Sequence, residues 1–309
     1  MLRTTLLLPL LFILALAAAR AEPTRPLRVV SLHSVLTEIA RTVGGPAVEV
    51  TGLVAPGVDP HTFDPTPRDL ATALDADLVL ATGLHLEGYL DRLAAQPGAR
   101  GPLLRVGEVL PVILSVADDN HADHDHTREL HTHAGEADPH WWHSIDNVLF
   151  ATDLVRAEFT RLRPAAATDF AVRAQTYQQR LFALKAWAAR EVAQLAPARR
   201  HLVTTHDAFG YLARDWGFTV HAIGGLSTDT EPDPKHVAAL IKLVRQLRLK
   251  AVFAEGSASP KLAQTLAAET GARIGGTLHA DGLAPAGSGA ETYEALMRHN
   301  LGTIVTALR

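Results

Sequence analysis

The 309-residue sequence has no cysteine. Disulfide staples and thiolate metal ligands are therefore excluded, and so is the cysteine that carries the lipid of a bacterial lipoprotein. Stability has to come from an ordinary apolar core, and the chain is long enough for two modest domains. Long apolar runs are also missing: past residue 21 no stretch approaches the roughly 20 residues needed to cross a bilayer. Basic charge is in deficit too, with 29 Lys and Arg against 33 Asp and Glu. That balance argues against a nucleic-acid partner.

What the amino terminus does have is a basic start at Arg3, an apolar stretch from Leu6 to Ala19, and small residues Ala19 and Ala21 flanking Arg20 before Glu22. This pattern predicts a secretory signal peptide over residues 1–21, cleaved and not retained as an anchor. The mature protein is then expected to be water-soluble and periplasmic, with no lipid anchor. Losing Arg3 and Arg20 moves the formal charge from −4 to about −6. Histidine is abundant, 16 residues with five between His121 and His133, a density that goes with metal binding or pH sensing.

From Leu27 onward, short β-branched runs alternate with helical periodicity. Strands are expected at Arg28 to Leu32, Val48 to Val54, Asp77 to Thr82 and Leu103 to Val106, with amphipathic helices at Val35 to Val43 and Pro67 to Leu74. The alternation returns after Ala198, with strands at His201 to Thr205, Thr219 to Ile223, Lys250 to Glu255 and Arg273 to Leu278. Helices are expected there at Pro234 to Leu247, Pro260 to Thr270 and Glu291 to Leu308. The fold class is therefore α/β, with two lobes of mostly parallel sheet: residues 22–163 and residues 198–309.

Between the lobes, Pro164 to Pro197 encloses a segment with no internal proline or glycine. Phe170, Ala174, Tyr177, Leu181, Leu184, Ala188, Val192 and Leu195 recur in it at steps of three and four. One linker helix over residues 164–197, about 48 Å long, is expected to brace the two lobes. The stretch from Ala117 to Ala137 is nearly devoid of apolar residues and rich in His, Asp and Glu; it is expected to be a mobile loop.

In an α/β lobe, metal ligands sit best on loops at the carboxyl ends of strands. Candidates there are His61 in Asp59-Pro60-His61-Thr62-Phe63-Asp64-Pro65, His206 in Thr205-His206-Asp207-Ala208-Phe209-Gly210-Tyr211, and Asp281 in His279-Ala280-Asp281-Gly282-Leu283. His140 stands in Asp138-Pro139-His140-Trp141-Trp142-His143, just beyond the histidine-rich stretch. Taken singly, each signal is weak, because a lone histidine after a strand is more often a hydrogen-bonded structural residue. No H-E-x-x-H or C-x-x-C motif ties them together. His85, His221, His236 and His299 are read as structural or surface residues. His33, after the first strand, neighbours the site without an assigned role, and Glu231 and Glu255 are acidic residues open to a docking role or to simple solvation.

These four segments resemble the signature segments of the zinc- and manganese-binding proteins of ABC transporters, the cluster A-I family of metal solute-binding proteins. Asp59 to Leu70 is similar to that family's D-P-H, aromatic, P-T-P ligand loop, and Asp138-Pro139-His140 to its second D-P-H. Thr205 to Tyr211 is similar to its H-D-A-F-G-Y, and Asp281 through Tyr293 to Asn300 to its last ligand and following helix. The resemblance covers essentially the whole mature chain. It departs at one place: the family continues its second D-P-H with W-L-D or W-M-D, where this chain has Trp141-Trp142-His143-Ser144. His140 and His143 are three apart, so either faces the site if the segment is helical; His140 is the preferred reading.

The resemblance implies a metal in the cleft between the lobes, held by His61, His140, His206 and Asp281. His206 stands where the manganese branch tends to place a glutamate, and three histidines with one carboxylate suit zinc. It further implies one tightly bound Zn2+ as transported ligand, a zinc ABC transporter permease as partner, and a monomer that is not an enzyme. A periplasmic zinc metallochaperone is a further possible partner. The loop histidines His121, His124, His126, His131 and His133 are read either as auxiliary zinc recruitment or as a solvated insertion. Affinity is expected to fall as pH drops through about 6.5, and metal release to involve loop rearrangement more than wide lobe opening. The competing readings are a periplasmic zinc buffer without a transporter, and a secreted zinc hydrolase centred on His124-Asp125-His126 or His131-Thr132-His133.

Overall fold

The computed structural model describes residues 25–116, 136–229, 231–256 and 260–309. The expected signal peptide and the five loop histidines His121, His124, His126, His131 and His133 lie outside the described residues.

The first sheet is fully parallel, in the order β2-β1-β3-β4: β1 is Leu27–Ser31, β2 Val48–Gly52, β3 Leu78–Ala81 and β4 Leu103–Arg105. Every residue of β3 is buried, as a central parallel strand covered on both faces requires. Between these strands run helices α1 (Ser34–Gly44), α2 (Pro67–Leu74) and α3 (Leu90–Ala94). The start of α2 is set by a capping box, with Thr66 Oγ1 accepting from Asp69 N and the Asp69 carboxylate accepting from Thr66 N, and by Pro67 in the first turn. A two-residue antiparallel ladder follows, β5 (Ser115–Val116) on β6 (Glu136–Ala137).

Next come α4 (Ile145–Leu162) and α5 (Ala167–Val192), packed on each other across a short turn at Pro164–Ala166. The remaining elements are β7 (His201–Thr204), α6 (Gly210–Trp216), β8 (Thr219–Ala222), α7 (Pro234–Gln246), β9 (Ala251–Glu255), α8 (Lys261–Thr270), β10 (Arg273–Leu278) and α9 (Tyr293–Leu308). β7 pairs with β8 and β9 with β10, both in parallel, and β7 lies beside β9.

The expected linker helix is shorter than its sequence span. Pro164 and Pro197 each open a separate 3-10 turn, so the regular helix covers 26 residues, about 39 Å. Its apolar stripe is all buried, Phe170, Ala174, Tyr177, Leu181, Leu184, Ala188 and Val192, against α1, α4 and α9. Each large side chain in that stripe contributes roughly 1.5–3 kcal/mol by leaving water. One apolar cluster therefore runs from β1 through α5 to α9 and joins the lobes. A half-buried carboxylate reinforces the junction: Glu38 on α1 accepts from Tyr177 Oη of α5 at 3.0 Å and from Tyr293 N of α9 at 2.8 Å. Among the described residues no helix is long and apolar enough to cross a membrane.

Candidate metal centre

Two copies of Asp-Pro-His build the first-lobe side of the centre in the same way. In each, the aspartate accepts from the backbone N–H of the histidine two residues on, Asp59 from His61 at 2.9 Å and Asp138 from His140 at 2.9 Å. The intervening proline has no N–H to compete and a fixed φ, so the turn is preset. Asp138 Oδ1 also meets His140 Nδ1 at 2.9 Å, which leaves Nε2 as the free face of that ring. On the other side, Glu255 at the end of β9 organises the loop after β7. Its Oε1 accepts from Thr205 N at 2.8 Å and His206 N at 3.1 Å, and its Oε2 bonds His206 Nδ1, again leaving Nε2 forward.

These turns bring His61, His140, His206 and Asp281 together, one ligand atom from each lying within 4.8 Å of the others. His61 Nε2 is 3.1 Å from His140 Nε2. Asp281 Oδ1 is 3.3 Å from His206 Nε2, 3.5 Å from His61 Nε2 and 3.9 Å from His140 Nε2. A tetrahedron around an ion with bonds of about 2.0–2.1 Å has edges of about 3.3 Å, so this spacing suits four ligands around one ion. The side chains are only 5%, 0%, 3% and 3% exposed, in the order named above. Four protein donors in so closed a space leave little room for a metal-bound water nucleophile, which suits binding and not hydrolysis.

The electrostatics match. Burial holds the pKa of His140 well below the ordinary imidazole range, and the neighbouring His206 and His61 add to it. For His206 burial disfavours the charged ring, but the carboxylates of Glu255 and then Asp281 outweigh it and hold the pKa well above the ordinary value. Burial of Asp281 acts toward a higher pKa, and the facing His206 reverses this, holding the carboxyl well below the usual range. Each shift thus favours the charged form of its group, with His206 Nε2 facing Asp281 Oδ1 at 3.3 Å. Burial also drives His33 down to about 3 and His143 down to about 4, so both are neutral.

His143 does not join the cluster. Its Nε2 donates to Ala280 O at 2.8 Å and its ring lies 4.6 Å from that of Phe209. His33 caps α1, its Nδ1 accepting from Val35 N, and its Nε2 donates to Asp281 O at 3.2 Å. His236 and His299 donate to the carbonyls of Ala222 and Thr277, His221 pairs with His201 at 3.0 Å, and His85 is exposed. Glu255 is not a surface carboxylate: it is 3% exposed and committed to the His206 loop. The sequence signal for it was present, since it ends a strand predicted to lie in the same sheet. Asp138 was likewise legible from the repeated Asp-Pro-His. Among the described residues no other group of three or more potential metal ligands converges.

Two α/β lobes bridged by a long helix, with three imidazoles and a carboxylate buried in the cleft, define a metal-binding solute-binding protein. Residues 29–307 match the periplasmic zinc-uptake complex component A family, ZnuA, and the chain belongs to that family of metal-binding components of ABC-type metal uptake. Its sequence is 35% identical over 300 residues to the manganese-binding lipoprotein MntA of Bacillus subtilis (strain 168), covering 94% of this chain and 93% of that one. It is 32% identical over 297 residues to the zinc-binding protein TroA of Treponema pallidum (strain Nichols), covering 94% and 91%. The solved structure of that periplasmic zinc-binding protein superposes with a TM-score of 0.80 at 31% identity, over 92% of this chain and 99% of the other. A Mn-bound periplasmic metal-binding protein from candidatus liberibacter asiaticus has a TM-score of 0.80 at 26% identity, over 92% and 100%.

Proposed function

We propose that this protein captures Zn2+ outside the cytoplasm and hands it to the permease of a zinc ABC transporter, with His61, His140, His206 and Asp281 as the four ligands. One observation carries the reading: three imidazole nitrogens and a single carboxylate converge in a closed site. That donor set favours zinc over manganese, which prefers more oxygen ligands. The carboxylates of Asp138 and Glu255, bonded to the rear nitrogens of His140 and His206, support it further, because such contacts orient imidazole ligands and raise their basicity. We further propose a signal peptide over residues 1–21, lobes over residues 22–163 and 198–309 joined by residues 164–197, and a monomer without a lipid anchor. In this reading the loop histidines and a periplasmic metallochaperone are auxiliary suppliers of zinc.

Manganese is the second reading, favoured by the likeness to a manganese-binding lipoprotein. Competition of Zn2+ and Mn2+ against a calibrated chelator separates the two. The expected result is one tight Zn2+, much weaker Mn2+, and loss of tight zinc in His206→Ala. Tighter Mn2+ than Zn2+ refutes the zinc assignment.

A further inference from the structure

Asp281 follows β10 and belongs to the second lobe by sequence, yet the residues around it are fastened to the first. Ala280 O accepts two buried N–H groups, from Trp142 Nε1 at 2.9 Å and His143 Nε2 at 2.8 Å. Asp281 O accepts from His33 Nε2 at 3.2 Å, and Leu283 N donates to Ser34 Oγ at 2.9 Å. Leu283 O accepts from Gly57 N at 2.8 Å. All of these partners precede α4 in the chain, and His33, Ser34, Trp142 and His143 are buried.

The donors have no alternative use for these hydrogens. A carbonyl oxygen only accepts, so His143 Nε2 carries the hydrogen, and the acceptor role of His33 Nδ1 at the start of α1 places the hydrogen of that ring on Nε2. Gly282 is what lets the segment approach so closely: its φ is +129°, and a Cβ there would overlap Ser34 Oγ. The second lobe holds the segment on either side, His279 through Asn300 and Ala284 through Ala290, and meets the Asp281 carboxylate through His206 Nε2 at 3.3 Å. His206 is the opposite case, since its ring and backbone are both held by Glu255 of its own lobe.

We infer that His143, with Trp142 beside it, is a positioning residue that fixes Asp281 to the first lobe before metal arrives, so that His61, His140 and Asp281 form one preset half-site and His206 alone closes it from across the cleft. This rests on the reading that these four residues hold the metal. His143 touches no metal; it acts through the Ala280 carbonyl. The clamp makes Asp281 insensitive to small movements of the second lobe, and it assigns release to withdrawal of His206.

The test uses the full mature chain with Co2+ and Zn2+ as probes. His143→Phe keeps a ring against Phe209 and removes the donor, His143→Gln returns an N–H near the same place, and His206→Ala is the control for the site. Affinity is read by chelator competition and ligand geometry by the visible absorption of bound Co2+. The expected result is binding about tenfold weaker in His143→Phe with an altered Co2+ spectrum, at the lower end of what supporting contacts to metal sites supply. His143→Gln should recover most of both, and His206→Ala should lose tight binding. Wild-type affinity and spectrum in His143→Phe, with tight binding lost in His206→Ala, overturns the clamp and leaves the site reading intact. Tight binding retained in His206→Ala overturns the site reading itself. If His143→Phe does not fold, hydrogen exchange of the metal-free wild type decides. Amides of residues 281–283 protected to the level of residues 141–148, with residues 205–208 exchanging faster, support the clamp; equal exchange at 281–283 and 205–208 refutes it.

Discussion

Zinc binding at and above neutral pH should expel a proton from His206, and that proton sets how steeply affinity depends on pH. In the metal-free centre the imidazolium is disfavoured by burial but held by Glu255 at Nδ1 and by Asp281, 3.3 Å from Nε2, so its pKa lies well above 6.5. His140, well below that value, enters the reaction already neutral. A ligand nitrogen must be free of its proton, so binding competes with protonation and affinity rises with pH. Affinity should then rise about tenfold per pH unit, or about 1.4 kcal/mol, until pH passes the folded-state pKa of His206, and level off beyond it. The window expected from an ordinary histidine, around 6.5, is thus displaced upward. Calorimetry in two buffers of different protonation enthalpy counts the proton, and chelator competition from about pH 7 to about pH 8 reads the slope. Glu255→Gln removes the larger of the two charges that hold the proton, so release should fall in that variant. A flat affinity across this range, with no buffer-dependent heat in the wild type, refutes the reasoning.

Other outcomes follow from the same structure. The His206 pKa, raised on folding, gives the metal-free protein stability that is fully present below pH 6.5 and lost as pH rises through the raised value; thermal melts with and without zinc should diverge as pH increases. Glu87 accepts from Thr82 N at 2.7 Å and Gly83 N at 3.1 Å, but burial outweighs these bonds and raises its pKa from 4.5 to about 7. Its contribution is present below the unfolded value and lost as pH rises through about 7, a fall of about 3 kcal/mol that should vanish from the urea-denaturation pH profile of Glu87→Gln. Leu181→Ala, in the buried stripe of α5, should cost about 2–5 kcal/mol, read by denaturant unfolding of the metal-free protein. Thr66→Ala should cost about 1 kcal/mol by removing the cap of α2, with zinc stoichiometry unchanged.

Sequence periodicity locates the eight parallel strands of the two lobes because they are short, apolar and bounded by turn residues. Most are a residue or two shorter than expected, since the ladder ends before the apolar run does: Leu32 and Leu53 continue the bonding of β1 and β2 without belonging to either. The helix from Ile145 to Leu162 is absent from the sequence expectations, although Ile145, Val148, Ala151, Val155 and Phe159 recur at steps of three and four and form its buried face. The β5–β6 ladder is absent because it has two residues on each side and no periodicity to detect. At the centre, spacing alone could not join four residues spread from His61 to Asp281; resemblance named them, and the geometry explains why they meet. The role of His143 was illegible, because a backbone carbonyl more than a hundred residues away leaves no pattern near it.

The small ladder of β5 and β6 works as a clasp. Val116 pairs with Glu136 and Ser115 with Ala137, so two strands far apart in the chain are fastened together. Immediately beyond, Asp138 N donates to Leu114 O at 2.8 Å, and Leu114 N donates to Tyr211 Oη at 3.1 Å, pinning the return before His140 is reached. Asp138, and through it His140, thus takes its place from both lobes at once, so a disturbance of the Ser115–Ala137 pairing or of the Tyr211 hydroxyl would travel along the backbone to the metal centre.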